Sequence, residues 1–465
     1  MSDLTIHLEE NSSKPLYEQI YDYIKEEIQN GGLPFGQRLP STRKLAKDLE
    51  ISRSTVTLAY EQLLSEGYIE NRPGSGFYIK DLEGLYRLPK GEELPLTEKE
   101  EERVCWQYDF SPSGVDLSSF PYNTWRKISR GILMENNEAL YRLGETAGEM
   151  ELRETITSYL YQARGVKCLP RQIVIGAGND YLLMLLDAVL GQGHIYALEE
   201  MSYRKPYHIW NVLGRQIRTV KTDEQGMCVE SLAESGADIA YVMPSHQYPL
   251  GTVMSAGRRR QLLNWAAQKE GRYIIEDDYD SEFRYRGRPV PALKGMDRNE
   301  KVIYIGTFSK SLAPSIRISF LVLPEDLRQM FEKRGCCFSS TVSRMDQKIL
   351  AAFMREGYYE RHLNRMRSIY RNRHDTLLEA LKPFAQMAEI SGEYAGTHLL
   401  LNLKDHFTEK EAIRRAKEKE VRVYGLSSYY LGKEQKEWST LILGYANMNE
   451  NGIREACRRL EEVYL

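Results

Sequence analysis

Apolar residues recur at helical spacing from the start of the chain. Leu16, Ile20, Ile24 and Ile28, with Tyr17 and Tyr21, fall on one face and predict an amphipathic helix that the Gly31-Gly32 pair ends. Ser41 reads as the N-cap of a second helix with Leu45, Ala46 and Leu49 inward. After the turn Glu50-Ile51, Ser52 caps a third helix whose apolar face is Val56, Ala59, Tyr60, Leu63 and Leu64. Residues 67–70, 71–76 and 77–79 then read as strand, turn and strand, a wing with Arg72 at its tip. The stretch from Asp81 to Gln107 is rich in Glu, Lys, Gly and Pro with little apolar periodicity, which predicts a linker. From residue 108 onward strand-like and helix-like segments alternate. The expected architecture is therefore α/β, with residues 1–80, 81–107 and 108–465 as helical N-terminal domain, linker and large domain.

Composition narrows the class. A chain of 465 residues, 42% hydrophobic, exceeds what one core organises, so at least two domains are expected. No apolar run is long enough to cross a bilayer and no leader pattern opens the sequence, which predicts an unprocessed, cytoplasmic protein without membrane contact. Six cysteines show no C-x-x-C spacing, so neither a metal nor a disulfide framework is expected, and adjacent Cys336 and Cys337 read as ordinary packed thiols. The net charge of -3 offers no general attraction to nucleic acid; any DNA contact must come from placement.

The third helix supplies that placement. With its apolar face inward, Arg53, Ser54, Thr55 and Thr57 stand beside Ser52 at the exposed N-terminal end, where a recognition helix meets base edges and phosphates of double-stranded DNA. Arg43 on the second helix and Arg72 on the wing extend the same candidate surface, against the alternative of a solvated three-helix bundle. The segment LPSTRKLAKDLEISRSTVTLAYEQLLSEGYIENRPGSGFYI resembles the winged helix-turn-helix of the GntR family of bacterial regulators.

Farther along, the chain offers five parts that amine chemistry through pyridoxal phosphate requires: a lysine, an acid for the ring nitrogen, a phosphate cradle, a stacking ring and a partner for the phenolic oxygen. In KVIYIGTFSKSLAPSIRISF, a strand at 302–305 runs into a polar turn carrying Lys310, with Thr307, Ser309 and Arg317 as donors to a phosphate. RYIIEDDYDSEFRY brings a strand into acids: Asp277 is the first candidate for the ring nitrogen, Asp278 the fallback, with Tyr279 near the phenolic oxygen. In IVIGAGNDYLLMLLDAVL a Gly-rich turn lets the Gly178 and Asn179 amides face an anion at a helix N-terminus, and Tyr203 is the stacking candidate.

This ordered set resembles the fold-type I aminotransferases. Together with the N-terminal domain it resembles the MocR/GabR subfamily of GntR regulators, over nearly the whole chain. The resemblance implies a mainly parallel sheet with a smaller C-terminal α+β subdomain, Lys310 as the Schiff-base lysine, Asp277 as the pyridinium partner, Tyr279 on the phenolic oxygen, Arg317 on the phosphate and Tyr203 as the stacking ring. It also implies a homodimer in which Tyr141 reaches a phosphate in the partner subunit. Two departures stand out. Tyr248 occupies the place of the Asn in N-P-x-G, and Ile442 in LILGYA stands where aminotransferases carry an Arg for the substrate carboxylate, leaving Arg204, Lys205 or Arg422 as substitutes. The expected function is a transcriptional regulator binding an operator, with possible contact to RNA polymerase, in which an amine or amino acid reacts at Lys310. The alternatives are a true aminotransferase with an accessory DNA-binding module, or a regulator sensing pyridoxal phosphate itself.

Overall fold

The computed structural model describes residues 6, 8, 14–81, 106–134, 138–285, 291–334, 338–404, 407–432 and 437–465. Nearly all of the expected linker, and Cys336 and Cys337, lie outside them. The chain divides into two compact units, Met1–Arg103 and Val104–Leu465.

In the first unit, helices α1 (Leu16–Asn30), α2 (Thr42–Asp48) and α3 (Arg53–Ser65) are followed by the hairpin β1 (Ile69–Arg72) and β2 (Gly76–Ile79). Gly31 ends α1 in the left-handed conformation (φ 81°), and Ser41 and Ser52 accept the backbone N–H of Lys44 and Thr55 as N-caps. Ile20, Ile24 and Ile28 close on Val56, Ala59, Tyr60 and Leu63, all buried. Truncating one of these isoleucines to alanine is expected to cost about 2–5 kcal/mol. Leu64, expected inward, is 40% exposed. At 3.6 residues per turn it lies about 80° around the helix from Val56, at the rim of the buried stripe. The first wing strand lies two residues later than expected and the second begins one residue earlier, leaving a turn of Pro73, Gly74 and Ser75 closed by Ser75 N–H donating to Arg72 O; Arg72 pairs with Gly76 within the hairpin.

The second unit is built on a seven-stranded sheet in the order 173–176, 319–322, 302–307, 273–278, 239–242, 195–199, 216–220. Ser319–Val322 runs antiparallel to both neighbours and the rest are parallel. The strands 173–176, 239–242 and 273–278 are buried throughout, as a sheet covered on both faces requires. The carboxyl ends of the parallel strands gather along one edge, and Thr307 and Gly176 both pair there with Ser319. Lys310, Tyr203, Gly178 and Arg317 sit in the connections at that edge, the place where open α/β sheets bind ligands. A four-stranded antiparallel sheet (389–391, 398–402, 440–444, 424–425) forms the smaller C-terminal part, its core closed by helices Tyr358–Ala380, Glu409–Glu418 and Glu450–Tyr464. Among the described residues no helix is long and apolar enough to cross a membrane.

Candidate functional site

The strand ends enclose a cavity of about 160 Å³ whose walls include Asn179, Tyr203, Asp277, Tyr279, Thr307, Ser309, Lys310 and Arg317. Residues from four separate segments of the chain thus converge. Lys310 Nζ donates to the Pro112 carbonyl at 3.1 Å. Burial pushes its ammonium down to about 8, against the pull of the Asp280 charge, so an appreciable fraction is the free, nucleophilic amine near neutrality.

The two adjacent acids separate cleanly, because successive side chains of a strand point to opposite faces. Asp278 faces away, where it accepts from Arg164 Nε and the Tyr304 hydroxyl, each at 2.7 Å. Asp277 faces the cavity, accepting from the Tyr241 hydroxyl at 2.5 Å and Asn179 Nδ2 at 3.3 Å. Burial raises Asp277 to about 7; Tyr241 opposes the rise and the Asp278 charge adds to it.

At the other end, Arg317 (φ 52°) donates to the Ala177 carbonyl and approaches Asp180 at 3.4 Å. Its guanidinium lies against Gly178, where a Cβ would come within 2.3 Å of Nη2; φ there is 92°. The Gly178 N–H, expected to face an anion, instead donates to the Gly176 carbonyl at 2.8 Å, because the tight turn consumes it. Thr307 Oγ1 accepts the Ser309 N–H at 3.2 Å and lies 2.9 Å from Ser319 Oγ, holding the turn before Lys310.

Tyr203 meets Tyr248 edge to face with centroids 5.7 Å apart, and the Tyr248 hydroxyl donates to that of Tyr429 at 2.8 Å. Tyr141, 74% exposed, does not line this chain's cavity. Of the three candidate substitutes for a carboxylate clamp, Lys205 lines the cavity, paired with Asp180 at 3.1 Å. Arg204 is turned onto the Ser428 carbonyl and Arg422 lies 3.6 Å from Asp109. Ile442 is fully buried among Met201, Leu400 and Leu426.

The first unit presents a second candidate surface. Arg43, Ser52, Arg53 and Ser54 are exposed, and Thr55 and Thr57 are half-buried. Ser52 Oγ also lies 2.7 Å from Ser54 Oγ, while Thr57 Oγ1 donates back to the Arg53 carbonyl at 2.9 Å. On the wing, Arg72 stacks over the Tyr78 ring and pairs with Glu70.

Comparison with known proteins agrees with this division. The family described as "Bacterial regulatory proteins, gntR family" matches residues 16–79, and "Aminotransferase class I and II" matches residues 117–460. The HTH-type transcriptional regulator YdeL of Bacillus subtilis is 41% identical over 99% of both chains. The "Probable rhizopine catabolism regulatory protein MocR" of Rhizobium meliloti is 31% identical over 98% of this chain and 95% of its own. The chain belongs to the MocR group of gntR-family regulators. The regulator's larger unit has the aminotransferase fold: it superposes on a kynurenine aminotransferase of Pyrococcus horikoshii with a TM-score of 0.69 and 28% identity, over 78% of this chain and 91% of that one. It is thus a helix-turn-helix transcriptional regulator carrying an aminotransferase-like domain.

Sequence reasoning overlooked His246 and Asp280, which sit buried behind Tyr279. The available signal was position: both follow strands ending at the edge that carries Lys310.

Proposed function

We propose that the regulator holds pyridoxal phosphate in this cavity and that an amine or amino acid effector reacting there alters its binding to operator DNA. Three observations support the fit. Asp277 is a buried carboxyl held near neutrality, and a cationic ring N–H against it would restore its charge. Asn179 Oδ1 is buried with no protein partner. Arg317, packed on Gly178 and 3.4 Å from Asp180, lines the same cavity as Thr307 and Ser309, and together they are donors suited to a phosphate dianion. When bound, the cofactor supplies an aldehyde that condenses with a primary amine. Lys310 provides the resident amine, Asp277 holds the ring-nitrogen proton, Tyr203 covers the ring and the Tyr279 hydroxyl serves the phenolic oxygen. Tyr141 is assigned to the partner's site in a homodimer.

The observation that carries the reading is Lys310 and Asp277 on one cavity, each shifted by burial toward its neutral form. Residues 1–80 are assigned to DNA binding through Arg43, Ser52, Arg53, Ser54, Thr55, Thr57 and Arg72, residues 81–107 to the connection, and residues 108–465 to effector binding in the cytoplasm. A sensing output rather than turnover is favoured by Ile442, whose apolar surroundings offer no bidentate clamp to set a substrate's Cα–H bond. A screen of amines and amino acids should find one that shifts the visible spectrum of the loaded protein while multiple turnover with keto acids stays negligible. Keto-acid turnover on the order of 1–1000 per second would instead mark an enzyme with an accessory domain.

A further inference from the structure

Behind Tyr279 lies a buried pair to which the cofactor reading gives no part. His246 and Asp280 are each 1% exposed, with His246 Nδ1 2.8 Å from Asp280 Oδ2. The same ring nitrogen is 2.9 Å from Tyr279 Oη. Gly396 (φ 79°) presses on the pair: a Cβ there would come within 2.0 Å of His246 Cε1 and 2.8 Å of Asp280 Oδ2. Its carbonyl is pinned by the hydroxyls of Tyr285 and Tyr445. An imidazole and a carboxylate this deeply buried are costly fillers of space, so their retention calls for a task.

The hydrogen count defines the task. Nδ1 carries at most one hydrogen, and of the two acceptors within reach the carboxylate is the stronger. Were Nδ1 without its hydrogen it would accept that of the Tyr279 hydroxyl instead, so the placement of one hydrogen decides where the tyrosine proton points. We propose that His246 and Asp280 are a positioning pair: by holding the imidazole N–H on Asp280, they release the Tyr279 hydroxyl to donate into the cavity, onto the oxygen of the ring ligand. This rests on the cofactor reading above. In the neutral ring that tautomer leaves Nε2 an acceptor; it is buried without a protein partner, and a water-sized cavity of about 10 Å³ borders the ring. The other charged or titratable groups facing the pair are Lys310 and Asp277 from the main cavity, His398 with its ring 5.3 Å away, Arg164 and Arg284 across the small cavity, and Tyr285 and Tyr445.

The test is a pH titration of the visible band of the full-length protein loaded with pyridoxal phosphate. Tyr279→Phe removes the donor and fixes the direction in which its loss moves the midpoint. His246→Leu frees Asp280 to capture the tyrosine proton, and should move the midpoint the same way by roughly half a pH unit or more. His246→Gln, whose amide can donate to Asp280, should restore most of the shift. In the Tyr279→Phe background His246→Leu should add less than about 0.2 unit, because the histidine acts through that hydroxyl. Asp280→Asn, nearly isosteric, asks the same question should the leucine variant fail to fold, and should also move the midpoint. Midpoints within about 0.2 unit of wild type in His246→Leu and Asp280→Asn, or a leucine effect undiminished without the Tyr279 hydroxyl, would overturn the proposal. Wild-type protein that shows no visible band after loading would overturn the cofactor reading, and this one with it.

Discussion

In the N-terminal unit the charged groups assigned to function stand in water: Arg43 and Arg53 are exposed at the ends of short helices whose caps are serines. In the C-terminal unit exposure is graded along the cavity: Arg317 is exposed and Lys310 half-buried, whereas Asp277 is only 4% exposed. The difference separates two ways of using charge. An exposed arginine keeps its charge at every accessible pH and contributes a screened attraction that any phosphate can receive. A buried carboxyl or ammonium pays for desolvation by shifting toward neutrality, and so becomes reactive or responsive. With the roles proposed above, one unit would respond to salt and the other to pH and to ligand.

The largest effect expected from breaking this contrast is at Lys310. Lys310→Ala should abolish covalent retention of pyridoxal phosphate, read as loss of the visible band after dialysis. The apoprotein's DNA affinity should stay within about twofold, a change of only about 0.4 kcal/mol. Next comes the buried pair beneath the site. Asp278→Ala leaves Arg164 without its carboxylate and should lower the stability of the larger unit by about 3–5 kcal/mol, measured by denaturant unfolding. An unchanged midpoint would mean that Arg164 is satisfied without Asp278, by water in the small cavity it borders or by a neighbouring carboxylate.

A smaller effect is expected at the DNA surface. Arg53→Ala should cost about 1–3 kcal/mol of sequence discrimination if the side chain reads a base, or reduce the salt slope of binding by about one unit if it meets a phosphate. Either outcome fits the assigned facing of α3; no change in affinity or slope would refute it. The smallest effect sharpens the pH contrast. Asp277 titrates near 7 folded against an ordinary value of 3.8, so between those values the folded apoprotein binds more protons than the unfolded chain. Its contribution to stability is present below about pH 4 and is lost as pH rises through 7. Asp277→Asn should flatten that fall in the apoprotein, seen as a weaker decline of the melting temperature between pH 4 and 7.

Much of this was legible in the sequence because strand ends and helix caps are local features. Ser41, Ser52 and Gly31 announce helix ends within one turn, and the run into T-F-S-K fixes Lys310 beyond a strand. Choosing between Asp277 and Asp278 was a different kind of problem. Alternation says that they oppose each other, but which faces the cavity is decided by Arg164, 114 positions earlier. The Gly178 amide is a case of the opposite kind: the turn is so tight that its N–H closes on the Gly176 carbonyl, two residues back. The His246 and Asp280 pair leaves no local pattern, since two loops 34 positions apart meet only once the sheet has formed.

The proposed attachment of pyridoxal phosphate to Lys310 Nζ has a direct test. Borohydride reduction of the protein loaded with pyridoxal phosphate, followed by peptide mapping, should find one stoichiometric adduct on the peptide containing Lys310. An adduct on any other lysine, or none, would contradict it.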